Sequence, residues 1–376
     1  MDTTNKVIYN ITVKLFFLGL IITLLKVAQP VLLPLAVAIL FSFLLMPISQ
    51  KLESWKVPRG LAIIISLLVA VLLVAALIYF FYSQVLMFVN DWPELSKQLS
   101  AKIDKLFSFI SERFNYSEVE QKNWLNERLQ SAGSSAASYA LGIFSATGSF
   151  IASVALLPIF IFFLTYYRDK YKHFVELMAN DEEKAGKALG IIKKITVVSQ
   201  KYLKGLFLVI VILSILNSTG FLLLGLRHAV LFGVLLALLN IIPYIGILIG
   251  SIFPVMMALI TEDQLGIALG VLGVTIFVQF LENNFITPNV VGSSVSINPF
   301  TAILGLTTSA LVWGIVGMII ALPFIGMMKV AFDNIDPLKP WGYLMGEERN
   351  YKHDSKDNRR KFFLRTIYKK NDNKKT

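Results

Sequence analysis

Gln279, Glu282 and Asn283 fall at i, i+3 and i+4, so a helix would carry them on one face and set a carboxylate between two carboxamides. With Asn284 beside them and backbone carbonyls freed by Pro288, this group could bind a cation or relay a proton. A carboxylate near the middle of a membrane helix costs about 2.5–3.5 kcal/mol on insertion scales, so it persists only with a partner, a cavity or an added proton. In the competing reading Glu282 ends a short helix at headgroup depth, where a carboxylate is inexpensive. A second set is Asn240, Pro243 and Gly246, and a third is Asn298 before Pro299. At such helix breaks an Asn either caps the backbone or contacts a ligand. The small residues Gly246, Gly250, Gly314 and Gly317 would let helices approach closely.

The surroundings of these residues are apolar. Residues 229–328 hold no Lys, Arg or His, and their carboxylates are Glu262, Asp263 and Glu282. Of the 376 residues 56% are hydrophobic and 16% charged, outside the usual composition of soluble domains. The chain therefore belongs in a bilayer. In hydrocarbon an unpaired backbone group costs several kcal/mol, so a polar, proline-broken stretch such as Gln279–Pro299 survives only under protein cover or against a water-filled cavity. That makes it a candidate transport site. With no basic residue in the hundred-residue stretch, a neutral polar solute or a monovalent cation or proton suits it better than an anion. No cysteine is present, no HExxH, Walker A or GxSxG motif occurs, and His173, His228 and His353 are scattered. No catalytic residue, metal site or cofactor is expected, and an ATP-driven pump is disfavoured.

In chain order, Ile11–Val27 and Val31–Ser49 read as two spans rather than a cleaved leader, and Leu61 to Val89 as a third that is longer than a ~30 Å core requires. Residues 90–146 then form a helical insertion outside the bilayer. Asp91 and Glu94 have the spacing of a capping box, a second start lies at Ser117, and Trp92, Leu95, Leu99 and Ile103 mark one face. That face would fold over the protein's own spans or contact another protomer. Residues 147–204 hold a fourth span and a basic segment with nine Lys and Arg between Arg168 and Lys204. Residues 205–335 form a transport core, and residues 336–376 a basic tail. By the positive-inside rule the basic segments and both termini are cytoplasmic and the insertion extracytoplasmic.

Within the core, Gly205–Leu226 and Leu265–Leu281 read as spans. Residues 229–261 and 300–331 read as hairpins, hinged at Pro243 to Gly246 and at Trp313 and Gly314, with paired full spans as the alternative that keeps the same parity. A span followed by a hairpin, occurring twice, is the pattern of an inverted-repeat carrier. The expected fold is an all-α polytopic membrane protein of about eight hydrophobic segments, including two re-entrant hairpins and the helical insertion after the third span. The expected function is a carrier working by alternating access, with a passive channel or a structural or signalling membrane protein as alternatives. The tail interleaves bases and aromatics and should bind anionic lipid headgroups rather than nucleic acid.

The segments QFLENNFITPNVVG, NPF and GIVGMIIALP, with NIIPYIGILIG upstream and PVLLPLAVAILFSFLLMP near the start, resemble the autoinducer-2 exporter family of bacterial permeases over nearly the whole chain. The resemblance implies an eight-segment bacterial inner-membrane protein, a homo-oligomer, that exports autoinducer-2 or, as for some members, exchanges sodium for protons. Carried over by position, its motif elements are Pro243, Gly246, Glu282, Asn283, Pro288, Gly292, Pro299, Gly314, Gly317 and Pro323. The family often has His where this chain has Asn298, and glycines at Thr308 and Ser309, so a proton-coupling His does not transfer.

Overall fold

The structure, a computed structural model, describes residues 3–114, 148–179, 181–242, 245–261, 265–291 and 297–347. Every regular element in these residues is helical. Pro243, Glu262, Asp263, Gly292, the helix start expected at Ser117 and the basic tail from Arg349 lie outside them. Among the described residues five helical segments are, by length and composition, long and apolar enough to cross a membrane: Gln29–Ser54, Arg59–Lys105, Glu182–Leu223, Leu265–Val290 and Pro299–Asn334. Between them these helices present apolar side chains such as Leu68, Leu72, Leu77, Phe277 and Ile315 on their outer surfaces, as hydrocarbon contact requires. The chain is an all-α polytopic membrane protein.

Two compact units divide the chain, one made of Pro30–Arg168 and Leu203–Gly292, the other of Met1–Gln29, Asp169–Tyr202 and Ser293–Thr376. The first contains α2 (Gln29–Ser54, but for its first residue), α3 (Arg59–Phe114) and α4 (Gly148–Tyr166). It also contains the second half of α6 (Glu182–Leu223), then α7 (Ala229–Leu239), α8 (Ile245–Thr261), α9 (Leu265–Leu281) and α10 (Thr287–Val290). The second unit contains α1 (Thr3–Val27), α5 (Arg168–Met178, but for its first residue), the first half of α6, α11 (Pro299–Asn334) and α12 (Lys339–Met345).

In the first unit α3 runs unbroken for 56 residues, about 84 Å at 1.5 Å per residue. The expected fresh start at Asp91 does not occur, and Pro93 lies inside the helix. Packing supplies the reason. Leu95 is 1% exposed and sits in one cluster with Phe221, Phe232, Leu236, Met257 and Val271, and Leu99 packs against it. That burial outweighs the one backbone bond that Pro93 removes. The apolar face of this segment therefore covers the unit's own helices. Polar contacts reinforce the packing. Arg227 lies 2.8 Å and His228 3.0 Å from the Asp91 carboxylate, and Lys102 donates to the Leu259 carbonyl at 3.0 Å. At another junction of this unit the Arg168 guanidinium grips both oxygens of Glu53, and Arg59 donates to the Tyr166 carbonyl. The guanidinium fork thereby ties the ends of α2 and α4.

His228 precedes α7 in the left-handed region, with φ 58°. Burial holds its imidazole below the usual value of 6.5, Arg227 acts in the same direction, and Asp91 opposes both. Because the unfolded chain then takes up a proton before the folded one does, this contribution to stability is complete above about pH 6.5 and is lost as pH falls through the lower folded-state value. Thermal unfolding at about pH 7.5 and about pH 5.5 should show a drop for wild type that is smaller in His228→Asn, since Asn tolerates the left-handed backbone but does not titrate. Equal drops would place the acid sensitivity elsewhere.

Residues 229–261 form a hairpin. A Cβ on Gly246 would lie 1.8 Å from the Leu239 carbonyl oxygen, and one on Gly250 would lie 2.6 Å from Leu236 Cδ1, so the two arms meet backbone to backbone at Gly246 and backbone to side chain at Gly250. With 11 residues α7 is about 16 Å long, too short to cross a ~30 Å core. The re-entrant form expected from the sequence is the one these lengths fit.

In the second unit α11 is folded at Trp313 and Gly314, whose φ/ψ values are −127°/17° and 64°/−146°. The Gly314 conformation is open essentially to glycine alone, and no atom lies within 4 Å of a Cβ there. Gly314 thus serves the bend itself rather than the close packing expected of it, whereas Gly317 does sit tight against Ser309. The arms face each other at Gly305 and Ile325. The Trp313 indole N–H donates to the Leu25 carbonyl at the end of α1.

Candidate functional site

The π turn at Glu282–Ile286 is the local event that builds the site. Pro288 cannot donate a backbone bond and its ring crowds the preceding turn, so the helix widens by one residue and the Thr287 N–H reaches the Glu282 carbonyl instead. The helix does not break there. Residues Leu265–Val290 form one 26-residue span, about 39 Å long. Expecting non-helical backbone from Glu282 onward was therefore wrong for residues 282–290, and Glu282 does not end a short helix, because two turns follow it. The continuation is held from outside: a Cβ on Gly205 of α6 would lie 3.0 Å from the Val290 carbonyl oxygen, so α10 packs directly on the α6 backbone.

Glu282 is 9% exposed. Its carboxylate accepts a hydrogen bond from the Gln279 amide through one oxygen and one from the Thr287 hydroxyl at 3.1 Å through the other. Both donors are neutral. Gln279 also donates to Asn283 Oδ1 at 3.3 Å, so three of the expected residues, Gln279, Glu282 and Asn283, are connected. Asn284 turns away and donates to the Phe280 carbonyl at 2.8 Å, and it is exposed, as are Asn283 and Pro288. Thr287 was not singled out from the sequence, although its spacing of five from Glu282 would have suggested it had the π turn been foreseen.

Asn240, at the end of α7, joins Gln279 around a small cavity bounded also by Asn217 and Thr275 and walled by Leu213 and Val278. Its empty volume, including the mouth, is about 210 Å³. Asn217 and Thr275 are 3% and 5% exposed, and sequence reasoning missed both. A single Asn or Thr in an apolar run gives no pattern, and only the crossing of α6 and α9 brings them together. Gly246 contributes a close backbone approach rather than a ligand atom.

Asn298 and Pro299 have another role. Asn298 caps α11, accepting from the Thr301 N–H at 2.8 Å. Its amide donates to the Leu344 and Gly346 carbonyls at 2.7 and 3.2 Å, and its backbone N–H donates to Met345 at 2.9 Å. Pro299 occupies the first helical turn, where it lacks only a donor that would be unpaired anyway. The other foot of the hairpin is fastened by Lys329, 7% exposed, which pairs with Asp333 at 2.7 Å and donates to the Gly342 carbonyl at 3.2 Å. No spacing or pattern marks this lysine, one residue past the stretch without basic residues, as buried. Asp333→Ala should cost about 2 kcal/mol, below the 3–5 kcal/mol of a fully buried pair because Asp333 is more than one-third exposed. Adding Lys329→Met should recover most of it in a double-mutant cycle read by denaturant unfolding; additive losses would mean the pair is not coupled.

Among the described residues no group of three or more His, Cys, Asp or Glu could hold a metal ion. The site is a buried carboxylate, carboxamides and hydroxyls in an apolar helical setting, suited to handling a small polar species within a membrane.

Comparison with known proteins identifies the family. A family model described as "AI-2E family transporter" matches residues 12–336. Relatives include the Bacillus subtilis protein titled "Putative transport protein YueF", 27% identical over 317 residues, covering 80% of this chain and 83% of that one. Another, "Putative transport protein YrrI" of the same organism, is 25% identical with 81% and 86% covered. A Borreliella burgdorferi "Putative transport protein" is 26% identical over 347 residues, 91% of each chain. With a match that takes in both hairpins and the buried carboxylate, the chain belongs to the AI-2E transporter family and is a multi-pass membrane permease.

Proposed function

We propose that this permease is a secondary carrier that works by alternating access without ATP hydrolysis and exports a small polar solute such as autoinducer-2. The observation that carries this reading is the buried carboxylate of Glu282, held by Gln279 and Thr287 at a π turn inside a spanning helix. Such irregular, polar helix segments suit binding and release within a membrane. The family relationship supports export, and the absence of any basic residue from 229–328 disfavours an anionic cargo. The protein sits in the bacterial inner membrane as a homo-oligomer with both termini cytoplasmic, the side on which its basic segments fall, and its tail rests on anionic headgroups. A second reading, sodium–proton antiport, is favoured by the same carboxylate, which could exchange a proton for a cation.

Reconstituted proteoliposomes test both readings. Saturable uptake of labelled autoinducer-2 that is accelerated by unlabelled solute on the opposite side supports the carrier. Unsaturable flux or single-channel current indicates a passive channel. Sodium-driven proton movement without solute flux selects the antiporter, and no flux of any kind leaves a structural or signalling membrane protein.

A further inference from the structure

Asn217 Oδ1 is buried and has no hydrogen-bond partner among the described residues. A buried carbonyl left unpaired is destabilising, and this one belongs to a side chain that lines the α6–α9 cavity. The donors around it point elsewhere. The Thr275 hydroxyl donates to the Val271 carbonyl at 2.9 Å, the Gln279 amide to Glu282 and Asn283, and the Asn217 amide to the Leu213 carbonyl at 2.9 Å. One remaining N–H of Asn217 aside, these three lining side chains carry oxygen atoms not used as acceptors among the described residues, Asn217 Oδ1, Thr275 Oγ1 and Gln279 Oε1, and the lining residue Asn240 adds a carboxamide with both an oxygen and an NH2. The enclosed part of the cavity takes a particle about the size of one water molecule.

A water there would donate to Asn217 and accept from the Asn240 amide or the remaining Asn217 N–H, but it could serve only two of the four side-chain oxygens at once. A small cation would satisfy all the oxygens together. Charge points the same way. Thr275, Gln279 and Glu282 follow at i, i+4 and i+7 on one face of the α9 span, and the donors to Glu282 are neutral. A cation near Gln279 would offset that negative charge in an apolar setting. One carboxylate matches one positive charge, whereas divalent sites gather several.

We propose that the cavity formed by Asn217, Thr275 and Gln279 binds one small, dehydrated monovalent cation, which serves as the coupling ion of the transporter. The coupling role rests on the carrier or antiporter reading above; the binding site does not.

The test uses purified full-length protein, with sodium, lithium, potassium or ammonium chloride exchanged for N-methylglucamine chloride at constant ionic strength. Wild type should show saturable thermal stabilisation by at least one of these cations. Asn217→Leu should abolish that stabilisation while unfolding no lower than wild type in the cation-free buffer, because it removes the unpaired carbonyl. Thr275→Val should weaken the apparent affinity about tenfold, the scale of one lost charged contact, and keeps the inference testable if Asn217→Leu does not fold. No cation-specific stabilisation of wild type, stabilisation retained in Asn217→Leu, or an unchanged apparent affinity in Thr275→Val overturns the site. Solute counterflow distinguishes this failure from that of the carrier. Counterflow without cation binding removes the site and leaves the carrier; binding without counterflow or exchange supports the site and removes the coupling role.

Discussion

Gly246→Ala should destabilise the protein by about 3 kcal/mol, the upper end of what an overpacked core site costs. The new Cβ would stand 1.8 Å from the Leu239 carbonyl oxygen, so relief requires the backbones of α7 and α8 to part. Those helices carry Leu236, Met257 and Ala258 of the unit's central cluster, and parting them also pulls apart the wall that Asn240 contributes to the cavity. Gly305→Ala provides the contrast. Its Cβ would meet Ile325 Cδ1 at 2.0 Å, but that is the far end of a flexible side chain, which can rotate away. Denaturant unfolding in mixed micelles should rank the variants as wild type, then Gly305→Ala, then Gly246→Ala. Gly246→Ala as stable as wild type would mean that the hairpin arms are further apart than described.

Glu282→Gln should reduce coupled flux about 10- to 100-fold, corresponding to the ~1.5–3 kcal/mol of a hydrogen bond to a charged group. The carboxylate accepts from two donors, Gln279 and Thr287. A carboxamide offers one acceptor oxygen, which can keep the Gln279 bond, and its NH2 forces the Thr287 hydroxyl to turn from donor to acceptor, so the two charge-assisted bonds become neutral ones. The charge that could be exchanged for a proton or balanced by a cation is lost as well. Flux into proteoliposomes, normalised to protein whose fold is verified by its thermal unfolding, reads the effect. Thr287→Val should keep the charge and remove one donor, giving a smaller loss. Undiminished flux in Glu282→Gln would restrict Glu282 to shaping the π turn.

Much of this architecture can be read from composition and spacing. The apolar runs announce the spans. The cluster of Asn240, Pro243 and Gly246 and the Trp313–Gly314 pair mark the hairpin tips, because such residues punctuate helices wherever they occur. Gln279, Glu282 and Asn283 lie on one face by arithmetic alone, and the structure connects them.

Tertiary structure decided what a local break becomes. Pro93 and Pro288 remove one backbone donor each, and sequence alone reads the first as part of a fresh helix start and the second as a break. Whether a helix ends there depends on what packs across it, and Leu95 in the central cluster and Gly205 against Val290 hold both helices through. The burial of Lys329 depends in the same way on α12 folding back to place Gly342 beside it. The cavity is the extreme case. Asn217 and Thr275 are 58 positions apart in the chain, each unremarkable within its own apolar run, and only the packing of α6 against α9 sets their oxygens around one space. Periodicity along a chain fixes which face a side chain occupies, but the face it meets is set by the partner helix.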